Sequence, residues 1–187
     1  MDGYDITLAV HIGFVVLAFF LSGALHSSEY LMARATTVAE LRPLLKPGKL
    51  APLFAPIVIG IFAAGMALIG QSSGADTFHV SDPFAWTGIV ALVILASNGP
   101  LVMGRAHTAL TKAVEASPEG PIPADVRTLI NEPLPWAVGH LNTLLTLGVI
   151  LNMTTKQGAP TCIAVLVVFA AVGAGLGLGL RGKLTTR

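Results

Sequence analysis

His11, Ser22, His26 and Glu29 lie along one stripe of the first long apolar segment of the chain. At about 100° per residue, Ser22 and Glu29 fall within roughly 20° of His11, and His26 within roughly 60°. Val16, Leu17, Phe19, Phe20 and Leu21 occupy the other faces. Polar groups in a hydrocarbon setting are costly, so a shared polar face marks the side turned towards the protein interior. Later apolar segments add Asn98, His140 and Asn142, with Arg105 and His107 just beyond one of them. Imidazoles on facing helices suit haem iron, a transition metal or proton handling. A b-type haem would be held by His11 or His26 on one side and His140 on the other, with Arg105 pairing a propionate. The set His26, His107, His140 and Glu29 would instead suit zinc, copper or iron if three helix ends converge. No two histidines have a diagnostic spacing, and no catalytic residue is assigned.

The elements that must position these residues are membrane helices. The 187 residues are 53% hydrophobic and 11% charged, with a mean hydropathy of +0.76; soluble chains carry roughly a quarter charged residues. Five apolar spans at about residues 6–26, 51–70, 84–104, 135–153 and 160–180 each approach the ~20 residues that cross a hydrocarbon core. The expectation is an all-α bundle using residues 1–187 as one domain. Asp2 and Asp5 precede the first span where a signal peptide would carry basic residues, so it is expected to remain as a helix. Arg34, Arg42, Lys46, Lys49, Arg105, Lys112, Arg127, Arg181, Lys183 and Arg187 fall on one side, and Lys156 alone on the other. This bias predicts an outside N-terminus and a cytoplasmic C-terminus in a multi-pass membrane protein. A net charge of +1 gives no support for a nucleic-acid partner. The single cysteine, Cys162, excludes an intrachain disulfide and a CxxC metal site, and reads as an ordinary helix residue.

Measured from span midpoints at ~1.5 Å per residue, Ser22 lies about 9 Å, Asn98 and His140 about 6 Å, and Asn142 about 3 Å into the cytoplasmic half. His26 and His107 fall near the boundary, and His11 about 8 Å into the outer half. Asn98 and Asn142 read as interhelical hydrogen-bond partners, Trp86 and Trp136 as interfacial anchors, and His79 as a loop residue. Ser27 to Ala35 should continue the first helix, and Thr37 to Glu40 reads as a capping box opening a short helix on the membrane surface. Pro52 and Pro56 fit the first turns of the second span, and Pro100 predicts a kink in the third. A short helix is expected near Ala124 to Asn131. Gly173, Gly175, Gly177 and Gly179 give two overlapping GxxxG spacings, suited first to internal packing and otherwise to a homo-oligomer or membrane partner.

The stretch from His11 to Ala18, the kinked third span and the close of the fourth, Leu151 to Lys156, resemble a family of small bacterial integral membrane proteins of unknown function. That family is similar to copper-resistance-D-like proteins and, more widely, to the membrane protoporphyrinogen oxidase. The resemblance implies haem binding by a histidine early in the first helix, which would be His11. Three functions are therefore in view. The first is a haem b or metal protein in electron transfer or redox chemistry, with His11 and His140 leading. The second is a non-catalytic subunit or scaffold, without a cofactor, packing through the glycine-rich fifth helix. The third is a small transporter using His140, Asn98 and Asn142 as a polar path, against which stands the lack of an Asp or Glu in the central spans.

Overall fold

The computed structural model describes residues 2–73 and 77–185. Part of the loop between the second and third spans, and Arg187 of the basic tail, lie outside the described residues. The elements are α1 (Gly3–Arg34), α2 (Val38–Leu44), α3 (Phe54–Gln71), α4 (Pro83–Asn98), α5 (Arg105–Ala116), α6 (Ala124–Ile130), α7 (Pro133–Thr155) and α8 (Ala159–Thr185). A 3₁₀ segment, Lys46–Leu53, leads into α3, and a π-helical segment, Gly99–Gly104, joins α4 to α5. Five helices are long and apolar enough to cross a membrane, and there is no strand among the described residues. The all-α multi-pass expectation holds.

Local sequence accounts for most boundaries. Asp2 caps α1 by accepting the Asp5 N–H at 2.9 Å. The helix then runs 32 residues, about 48 Å at 1.5 Å per residue, so its last turns outrun a ~30 Å hydrocarbon core. Thr37 and Glu40 form the capping box: Thr37 Oγ1 accepts the Glu40 N–H at 3.3 Å, and Glu40 accepts the Thr37 N–H at 3.4 Å. Pro52 lies in the 3₁₀ segment rather than in a first α-turn. Pro100 perturbs the third span by widening it into the π-helical Gly99–Gly104 turns, as expected where a missing amide and a bulky ring disturb the i to i−4 ladder. The α7–α8 turn uses a left-handed Lys156 (φ 49°).

Burial divides the molecule by height. At one end, Met32, Ala33 and Ala35 after α1 pack with Val38, Leu41 and Leu45 of the α2 region, Leu110 and Val114 of α5, Val126 and Ile130 of α6, and Trp136 of α7. Val38, Leu41, Val114 and Val126 have no exposed surface. Helix α2 turns Val38 and Leu41 into this core. We call this end the cap. Backbone bonds from Val38 N to Gly120 O (3.0 Å) and from Ile122 N to Thr36 O (3.2 Å) stitch it. Arg127 donates to the Ala33 and Ala35 carbonyls. Below the cap the outer surface is apolar: Phe20 is 77% exposed and Ile59 67%, an arrangement that lipid stabilises and water would not.

A histidine cleft between α1 and α7

The π-helical turns, α7 and the cap end of α1 bring three polar helices together. Asn98 Nδ2 donates to Asn142 Oδ1 at 2.8 Å, tying α4 to α7 as the sequence predicts. One turn nearer the cap, His26 of α1 meets α7. Its Nε2 is 2.8 Å from the Thr143 hydroxyl and its Nδ1 3.2 Å from Glu29 Oε2. A Cβ on Gly139 would sit 3.1 Å from His26 Cε1 and 3.4 Å from Met103 Cε. The glycine therefore lets the imidazole approach α7. Both nitrogens of His26 are thus engaged.

His140 packs on His26 with ring centroids 4.6 Å apart and a 39° tilt. It also lies nearly parallel to the Trp136 ring, with centroids 6.0 Å apart. Its Nδ1 lies 3.0 Å from the Trp136 carbonyl. A carbonyl only accepts, so Nδ1 holds the proton and a neutral His140 has its lone pair on Nε2. No hydrogen-bond partner is present for Nε2 among the described residues. His26, Ser27, Tyr30, Leu31, Trp136 and His140 line an open cleft of about 420 Å³. Trp136, expected as an interfacial anchor, is instead buried at 5% exposure and donates its Nε1–H to Ile130 O. The signal missed was the nearby α6–α7 turn, which folds a free carbonyl back within reach of the indole.

The other candidates lie elsewhere. His11 is carbonyl-bonded in the same manner, with Nδ1 3.0 Å from Ile61 O of α3. It stands 15 residues before His26, about 22 Å along α1. His11 and His140 therefore do not face one another across a single ligand. His107 is pressed against the 3₁₀ segment, where a Cβ on Gly48 would overlap its ring, and its Nε2 is 3.5 Å from Thr111 Oγ1. Arg105 is exposed and does not line the cleft. Among the described residues no group of three or more His, Cys, Asp or Glu side chains is gathered closely enough to hold a metal ion. The proposed quartet His26, His107, His140 and Glu29 is thus not assembled as one ligand shell; the His26–Glu29 pair has His140 alongside, and His107 lies within electrostatic reach of Glu29. Cys162 is buried, with its S–H directed to Gln157 O.

The chain is thus a helical membrane protein with a partly apolar, histidine-lined cleft near the cap end of its bundle. No protein-family model, curated protein or solved structure matches the chain.

Proposed function

We propose that the protein is a redox protein of the bacterial plasma membrane that binds haem b through His140, with the cap on the cytoplasmic side. The observation that carries this reading is the Trp136 carbonyl on His140 Nδ1, which leaves the Nε2 lone pair of a cleft-lining histidine without a hydrogen-bond partner among the described residues. Metal-bound histidines characteristically donate their second ring N–H to a carbonyl or carboxylate, which fixes both tautomer and orientation. The lining would suit a single nitrogen ligand to a flat apolar group: His140 would hold it, with Trp136, Tyr30 and Leu31 also in the cleft wall. It fits a bare zinc, copper or iron ion less well, since His26 would have to release Thr143 to become a second ligand. Bound haem iron would supply one-electron chemistry. His11 offers a separate, similarly oriented nitrogen at the far end. The basic bias of the cap-end loops supports the orientation.

The test is the visible spectrum of the full chain purified in detergent from haem-replete cells, oxidised and dithionite-reduced, with elemental analysis of the same sample. A Soret band with sharp reduced bands, lost in His140→Ala and retained in His11→Ala, is the expected result. Loss in His11→Ala alone moves the ligand to the far end and overturns the assignment. A colourless, metal-free protein overturns the redox reading, and a colourless protein holding stoichiometric copper, iron or zinc replaces haem with that ion.

A second reading, assembly with another helix through α8, has one observation in its favour. Gly175 and Gly179 face open space, whereas Gly173 and Gly177 are taken up by α7.

A further inference from the structure

A cation stands against one of the residues that line the cleft. Tyr30 lines the cleft. Arg34, one turn further along α1, lays its guanidinium 4.5 Å from the centre of the Tyr30 ring and donates from Nη2 to the Tyr30 hydroxyl at 2.7 Å. Helical side chains lean towards the N-terminus, so an arginine at i+4 reaches back over a tyrosine at i. The guanidinium is held in place, yet Arg34 has no carboxylate partner among the described residues. Glu29 is paired with His26, and Glu119 with Arg42. A fixed guanidinium beside an aromatic ring is preorganised for two-point recognition of a carboxylate.

The cleft therefore has two unlike ends. The His26 and His140 rings, packed on one another, lie at the level of one turn of α1. The Arg34–Tyr30 pair begins one turn nearer the cap, about 5–6 Å along the axis. A bare metal ion reaches only the first, and a simple anion only the second. Resting on the haem reading above, we propose that the cleft selects a carboxylate-bearing tetrapyrrole, with Arg34, held by Tyr30, as the anchor for its carboxylate. This role passes from Arg105, which the sequence offered for it, to Arg34.

The experiment uses full-length apoprotein from haem-deficient cells, titrated in detergent with three probes: haem, haem dimethyl ester and ferrous ion alone. Binding is followed by the Soret shift, by quenching of tryptophan fluorescence, and for the ion by equilibrium dialysis. The expected result is at least tenfold weaker binding of the ester than of haem. Arg34→Gln should weaken haem about tenfold and leave the ester unchanged, with Tyr30→Phe intermediate and Arg34→Lys partly restoring binding. Arg34 is exposed, and unchanged helicity and elution volume would verify the fold of each variant. Equal affinity of haem and ester in the unaltered protein, or an Arg34→Gln effect of the same size on both, overturns the anchor while leaving haem binding by His140 standing. Failure of both porphyrins to bind removes the haem reading and the anchor together.

Discussion

At the scale of single residues, the asparagine pair is the least ambiguous feature inside the bundle. Asn98 and Asn142 satisfy one another at 2.8 Å, and neither amide has water as a ready substitute within an apolar layer. Replacing Asn142 by Leu leaves Asn98 without its acceptor, and the loss should be about 1–2 kcal/mol. Replacing both removes the orphan as well as the bond, so the Asn98→Leu, Asn142→Leu double variant should be more stable than the sum of the single losses implies. Unfolding titrations in mixed micelles measure the cycle; strictly additive losses would show that the two amides do not depend on one another. The histidines obey the same logic of partner counting. His26 has both nitrogens engaged and His140 has one to spare, and sequence alone cannot distinguish them because their partners, Thr143 and the Trp136 carbonyl, are contributed by α7 geometry. The polar stripe on α1 was legible, but whether its residues serve one site or two was not: His11 and Glu29 share a face but stand about 27 Å apart along it, against different neighbours.

At the scale of elements, α8 sets the backbone on which the cleft is built. A Cβ on Gly177 would come 2.1 Å from the Trp136 carbonyl oxygen, and one on Gly173 would come 2.6 Å from the His140 carbonyl oxygen. Both obstacles are backbone atoms, which cannot swing aside as a side chain can. The Trp136 carbonyl is also the acceptor that fixes the His140 tautomer. Gly177→Ala should therefore cost about 1–3 kcal/mol through overpacking and should also lower cofactor occupancy at His140. Gly175→Ala meets open space and should be neutral or slightly stabilising, since alanine is the better helix former. Thermal unfolding with the Soret amplitude on the same samples checks both; equal behaviour of the two variants would contradict the packing described here. The two GxxxG spacings were plain in the sequence, but which faces inwards was not, because both have the same period and only the placement of α7 breaks the tie. Helix boundaries, the Thr37 capping box and the disturbance at Pro100 were legible because each depends on residues within a turn or so of one another.

At the scale of the whole molecule, the cap is held together differently from the bundle below it. Its core of Val38, Leu41, Val114, Val126 and their neighbours is fully or nearly fully buried within the protein, while many apolar side chains of the spans point outwards. Hydrophobic burial away from water stabilises the cap as it would a small soluble domain, whereas the spans depend on close packing, paired polar groups and lipid. The cap is therefore the part where a cavity should carry its full cost, and Leu41→Ala should lose about 2–5 kcal/mol. The consequence should extend to the cleft, because Arg127 holds the carbonyls of Ala33 and Ala35 at the end of the same helix that carries His26, Tyr30 and Arg34. We expect Leu41→Ala to expose the segment from Ser117 to Pro123 to protease and to weaken ligand binding at the cleft, with total helicity nearly unchanged since the five spans persist. Limited proteolysis and circular dichroism on one preparation read the two effects separately. Unaltered cleavage together with unaltered binding would mean that the lipid boundary, rather than the buried core, keeps α1 in register with α7.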